Sequence, residues 1–169
     1  MANTANNTKL TKWVIGDPCY SFDLGRTHKE HIWGDFLDEV DFFSGDSPSV
    51  GSVGDEKVKI FAHNTAHGDG CYRDRENRKY PVDAGLIGAM TLETAVLVSG
   101  LASGEEYLEK VSGVHIHELN VTEDEMTLTY GDGLFNFSHC VHIDTDPDEE
   151  EDEYDWDWDE EEEDDWDWD

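Results

Sequence analysis

The sequence predicts an α+β protein: a single twisted, mostly antiparallel β-sheet carrying one main amphipathic helix, followed by a disordered acidic C-terminal tail. Three observations carry that reading. Short apolar runs that alternate, or that stop at clusters of Gly, Asp and Pro, recur through residues 10–143, as strands and hairpins require. One segment, Lys29–Phe43, instead repeats its apolar residues at steps of three and four. The last 26 residues, Asp144–Asp169, hold 19 carboxylates, no Lys or Arg, and four of the six tryptophans. Burying so few apolar groups among so many like charges does not offset the entropy of ordering them. The expected organisation is a flexible N-terminus over 1–9, a β-rich globular domain over 10–143 and the tail over 144–169.

Taken in order, Lys12–Ile15 is a first strand, halted by Gly16-Asp17-Pro18. In the helical segment, Ile32, Trp33, Phe36, Leu37 and Val40 line one face, and Thr27 with Glu30 three residues on has the form of a capping box. Residues 44–55 collect Gly, Ser, Pro and Asp and read as loop. Lys57–Phe61 resumes as a strand, and Thr65–Gly88 reads as a hairpin with a following strand. Thr91–Val98 reads as a short helix capped by Thr91 and stopped at Gly100. Val114–Ile116 and Val141–Ile143 flank a second hairpin, Met126–Tyr130 and Leu134–Phe137, which turns through Gly131-Asp132-Gly133.

Charge sets limits on function. The chain has 42 acidic and 11 basic residues, a formal net charge of −31. Removing the tail leaves 23 acidic residues, so the tail carries over half the net charge. Such a chain has no counterion-release drive toward a polyanion, so direct nucleic-acid binding is not expected. Met1–Thr8 lacks a basic stretch followed by an apolar one, and no apolar run reaches the length of a membrane span. Three widely spaced cysteines suit a reducing compartment. The expected location is cytoplasmic, with no membrane partner.

Five residues at turn-rich positions form a possible ligand pocket: Asp17, Cys19, His67, Asp69 and Asp83. Carboxylate, thiol and imidazole are the ingredients of acid–base or nucleophilic chemistry. Asp beside Pro or between glycines is equally a turn former, so an enzyme or small-ligand-binding domain stands as the alternative function and no catalytic residue is assigned. His63, His67 and Cys71 are four apart, but Gly68 and Gly70 oppose the helix that would align them. His115 with His117, and His139 with Cys140 and His142, read as exposed strand residues. No metal or cofactor is expected.

Three segments together resemble a family of small, mostly uncharacterised proteins of tailed bacteriophages: Gly16-Asp17-Pro18-Cys19-Tyr20, then Thr65-Ala66-His67-Gly68-Asp69-Gly70-Cys71-Tyr72, then Val82-Asp83-Ala84-Gly85-Leu86-Ile87-Gly88. The likeness covers roughly residues 12–90 and implies a role within or against a bacterial host, with the host cytoplasm as its location. It supplies no site residues, and the tail lies outside it.

The tail contains Asp155-Trp156-Asp157-Trp158-Asp159 and, ten residues on, Asp165-Trp166-Asp167-Trp168-Asp169. In an extended backbone the carboxylates line one edge and the indoles the other. Charge beside a flat π-system is what a nucleic-acid groove recognises. A tail serving only solubility gains nothing from tryptophan. The expectation is an inhibitor or modulator of a basic, nucleic-acid-binding host protein, acting by mimicry of nucleic acid. The basic cluster Arg73, Arg75, Arg78 and Lys79 is a possible anion or tail-docking patch on the chain itself.

Overall fold

The computed structural model describes residues 9–27, 29–40 and 48–146. The α+β class is as expected, but the strands divide between two five-stranded antiparallel sheets rather than forming one. The first has the order β2-β3-β6-β1-β7 and comprises β1 (Thr11–Gly16), β2 (Ser49–Val53), β3 (Glu56–Asn64), β6 (Leu86–Thr91) and β7 (Val114–Leu119). The second has the order β5-β4-β10-β9-β8 and comprises β4 (Gly70–Asp74), β5 (Lys79–Val82), β8 (Leu128–Gly131), β9 (Leu134–Phe137) and β10 (Val141–Asp144).

The division has a physical cause. In β1 the residues Trp13 to Gly16 are all buried, and in β6 so are Leu86 to Met90. Both faces of the first sheet therefore need a covering layer. One face packs Trp13, Ile15, Phe61 and Ile87 against Tyr80, Phe135, Phe137 and Ile143 of the second sheet. The other packs Val14, Ile60 and Met90 against Phe22, Phe36, Ala95, Val98 and Tyr107 of the helical layer. The second sheet alternates buried and partly exposed residues, as in Leu134-Phe135-Asn136-Phe137, and among the described residues no element covers its outer face.

The helices are α1 (Ile32–Glu39), α2 (Leu92–Ser99) and α3 (Gly104–Lys110). Helix α2 matches its expected capping: Thr91 accepts from the Thr94 amide, and Gly100 ends it with a left-handed φ of 71°. Helix α1 is shorter than expected, and residues 41–43 of the expected segment lie outside the described residues. Its entry is not a capping box at Thr27. The carboxylate of Asp23 accepts from the Ile32 and Trp33 amides at 3.1 and 3.4 Å, occupying the first helical donors from nine residues upstream. Helix α3 was not anticipated. Ser103 caps it by accepting from Glu106 N, Glu106 in turn accepts from Ala102 N, and Tyr107 is buried with its hydroxyl 2.6 Å from Ser21 Oγ.

Part of the expected loop 44–55 is strand β2, which pairs with β3 from Ser49↔Ile60 to Val53↔Glu56. Its glycine is there for a packing reason: a Cβ on Gly51 would be driven into the Phe36 ring. Gly51→Ala is expected to destabilise the domain by about 2 kcal/mol, as overpacking does, by lifting α1 from the sheet. Urea denaturation checks it, with Gly131→Ala as the control, since a Cβ there meets open space and its φ is not positive.

The folded unit also runs past residue 143. Asp144 closes β10, and Thr145 is fully buried, its amide and hydroxyl both donating to Gly133 O at 2.9 and 2.6 Å. Asp146 is the last described residue, and the tail from 147 to 169, with its two tryptophan repeats, lies outside the described residues, as do residues 1–8.

Candidate functional site

The three motifs meet at one end of the first sheet. Asp17 is fully buried and sits at the mouth of β1, where its carboxylate accepts three backbone donors: Cys19 N on Oδ1 at 3.0 Å, and Asp83 N and Ala84 N on Oδ2 at 2.7 and 2.6 Å. The middle motif joins the same turn through Thr65 N, which donates to Gly85 O at 2.9 Å. Thr65 also donates its hydroxyl to Gly68 O at 2.5 Å, and the Tyr72 hydroxyl donates to the same carbonyl at 2.8 Å, closing the Gly68-Asp69-Gly70 loop. Gly88 permits the approach of Pro18: a Cβ there would come within 3.1 Å of the proline Cγ and closer still to Phe61 O.

Of the five candidate pocket residues, Asp17, Cys19 and Asp83 are brought together, and Asp69 lies beside the same turn, near Gly85. His67 is not part of that group; its Nε2 lies 2.8 Å from Asp146 Oδ1 on the surface. The chemistry of the group is that of a junction. Both oxygens of Asp17 are taken by amides. Burial, and after it the charge of Asp17, pushes the Cys19 thiol well above its ordinary pKa, so it stays protonated at neutral pH. Burial and a hydrogen bond to Asp83 raise the Tyr20 phenol in the same way. Nucleophilic chemistry needs the opposite shift.

A second polar cluster, at the interface of the sheets, was not legible as such in the sequence. Asp74 Oδ1 accepts from Glu76 N and Arg78 N, both at 2.9 Å, while Oδ2 accepts from Arg78 Nε at 2.7 Å and from the Tyr80 hydroxyl at 2.9 Å. Burial opposes ionisation of Asp74, but these donors outweigh it and hold the carboxyl below its usual range. The Tyr80 oxygen lies 3.1 Å from His117 Nε2, linking β5 to β7 across the core. Since the one hydroxyl proton goes to Asp74, the imidazole must donate through Nε2. Far from being an exposed strand histidine, His117 is 8% exposed, and burial lowers its pKa to about 4, with Arg78 and His115 adding to the effect. His115, one step along the same face, lies with Nε2 2.7 Å from Lys79 O.

The basic cluster splits accordingly. Arg78 is engaged by Asp74 and, at 2.7 Å, by Glu76. Arg73 and Lys79 pair across the β4–β5 ladder and, with Arg75, are exposed. Arg73 also donates to Asn77 Oδ1 at 2.8 Å. On the neighbouring strand stands His142, whose pKa is lowered by burial, then by Arg75 and His139.

All three cysteines are free thiols, Cys71 and Cys140 exposed and Cys19 half-buried. Among the described residues no three His, Cys, Asp or Glu side chains converge as a metal site would require, and no helix is long and apolar enough to cross a membrane. No protein-family model, curated protein or solved structure matches the chain.

Proposed function

We propose that this protein is a non-enzymatic interaction protein whose C-terminal arm binds a basic, nucleic-acid-binding partner by imitating nucleic acid, and so inhibits or modulates it. The observation that carries this reading is the arm itself: 17 carboxylates and four tryptophans within residues 147–169, the indoles paired between aspartates and repeated after ten residues. The folded domain is consistent with such a role, because its motif junction spends its carboxylate on backbone amides and keeps its thiol protonated. In this reading Asp155, Trp156, Asp157, Trp158 and Asp159, and again Asp165, Trp166, Asp167, Trp168 and Asp169, face the partner. Carboxylates stand for phosphates and indoles for bases, with indole over guanidinium adding about 0.5–2 kcal/mol per contact. The likeness of the three motifs to bacteriophage proteins points to a bacterial host protein as the partner.

The test is capture from bacterial lysate by the full chain, followed by displacement with a single-stranded oligonucleotide. The expected result is a nucleic-acid-binding protein that the oligonucleotide releases and that dissociates as salt rises. Replacing all four arm tryptophans with alanine, at unchanged charge, is expected to weaken capture at least tenfold. Undiminished capture by a chain lacking residues 147–169 would show the mimicry reading to be wrong.

A further inference from the structure

The outer face of the second sheet has the properties of a docking surface for the chain's own arm. Its outward positions follow from the alternation of its strands: Lys79 and Pro81 on β5, Cys71 and Arg73 on β4, His142 and Asp144 on β10, Leu134 and Asn136 on β9. The described helices pack on the first sheet, and no described element covers this face. The chain has only 11 Lys and Arg residues, and four of them lie within Arg73–Lys79. Between Arg73, Arg75, Asn77, Leu134 and His142 runs a cleft of about 520 Å³ that two carboxylates also line, Asp74, which Arg78 neutralises, and the exposed Asp144. His142 is held below its ordinary pKa by burial first and then by Arg75 and His139, so it offers the cleft a neutral imidazole and the positive charge comes from the arginines and Lys79.

We infer that residues 147–169 fold back onto this face in cis, setting their indoles and carboxylates against Arg73, Arg75, Lys79 and His142, so that the arm is sheltered by its own domain until a stronger basic surface displaces it. Attachment and reach favour this occupant. Asp144 is the register partner of Arg73, and two residues on Asp146 meets His67, so the arm begins close to the face it would cover. Trp156 lies ten residues beyond Asp146, a span of up to ~33 Å, whereas β4 is five residues long, about 17 Å. The arm can therefore reverse and lay its first tryptophan pair along the strand. Tethering at so short a distance supplies an effective concentration near the millimolar range. An external polyanion meets the repulsion of the whole chain, while the arm's charge is already present. Docking in cis does not depend on the proposed partner being right, and the measurement below contains no partner.

The experiment is a paramagnetic relaxation measurement on the full chain. Cys71 is exposed and stands two residues before Arg73 on the same outward face. A nitroxide is placed there in a Cys140→Ser background, with the half-buried, protonated thiol of Cys19 reacting slowly. The indole Nε1–H signals of the arm are read by nuclear magnetic resonance. At about 50 mM salt, where screening is weak, at least one tryptophan pair is expected to lose more than half its intensity, and to regain it at tenfold higher salt. The double variant R73E/R75E is expected to restore the signals at low salt. Trp13, whose Nε1–H donates to Val121 O at 2.9 Å in the core, reports in the same spectrum that this variant is folded. Full arm intensities at low salt, or equal loss in R73E/R75E, would overturn the inference. So would loss seen only when labelled and isotope-enriched molecules are mixed, which would assign the face to the arm of a second copy.

Discussion

Asp17→Ala is expected to cost about 4 kcal/mol of folding stability and to lower Tm by about 10–15 °C. Its carboxylate is fully buried and is the acceptor for the amides of Cys19, Asp83 and Ala84. Hydrogen bonds to a charged group contribute roughly 1.5–3 kcal/mol each, and alanine leaves all three donors without their acceptor. Asparagine can turn its carbonyl to one donor set or the other but not both, so D17N falls between. A thermal melt on the protein alone checks it, and a loss of under 2 °C in D17A would remove Asp17 as the clamp. The effect is one of architecture. Asp17 ties the end of β1 to the turn before β6, and Thr65 ties β3 to the same turn through Gly85 O.

The second large effect is on acid stability. His117 is expected to make the folded state weaken as pH falls from about 6.5 toward 4, before most carboxylates titrate. Its folded pKa, about 4, lies below the ordinary 6.5, so between those values the unfolded chain binds the extra proton and stability drops with pH. At pH 5 the loss relative to pH 7.5 amounts to about 2 kcal/mol. His142, lowered by burial and Arg75, acts in the same direction. Asp74 is also depressed, so its contribution is lost as pH falls further, through the carboxylate range. Urea midpoints at pH 7.5 and pH 5 measure this. His117→Gln keeps a donor for the Tyr80 oxygen without the titration, so its stability is expected to change far less over that window. Parallel curves for the two proteins would contradict the assignment.

Much of the fold was legible where the local signal and the tertiary outcome agree. Thr91 and Gly100 delimit α2 because both caps are satisfied by residues next to them. Asp132 and Gly133, with φ values of 51° and 77°, make the turn between β8 and β9 that the Gly-Asp-Gly spelling suggests. Where signals are remote, reading along the chain failed. Strand β2 is spelled Ser-Val-Gly-Ser-Val, a loop-like composition, and becomes a strand because β3 offers it an edge and Phe36 needs the space above Gly51. The start of α1 was misplaced because its capping carboxylate, Asp23, is nine residues away. Helix α3 did carry a local signal, the Ser103-x-x-Glu106 capping pattern, but spans only seven residues.

The candidate site divides along the same line. That Asp17, Asp69 and Asp83 belong to turns could be read from their glycine and proline neighbours, and the structure brings all three motifs into one junction. That Asp17 is a buried acceptor rather than a reactive carboxylate depends on two amides 66 and 67 residues away. Arg78 and Arg73 look alike in a basic run, yet a buried Asp74 claims the first, while the second stands exposed on the ladder facing Lys79.

By itself the sequence determined the α+β class, most strand positions, helix α2 and the contrast between a domain and an acidic tryptophan arm. Those properties rest on periodicity, capping and charge density, which act over a few residues. Tertiary contacts alone settle that the strands form two sheets, that His117 and Asp74 are joined through Tyr80 across the core, and that Asp144 lies in register with Arg73. Each of those depends on which residues distant in sequence become neighbours. Burial then sets whether a carboxylate, thiol or imidazole at that meeting point is reactive, charged or simply holding the chain in place.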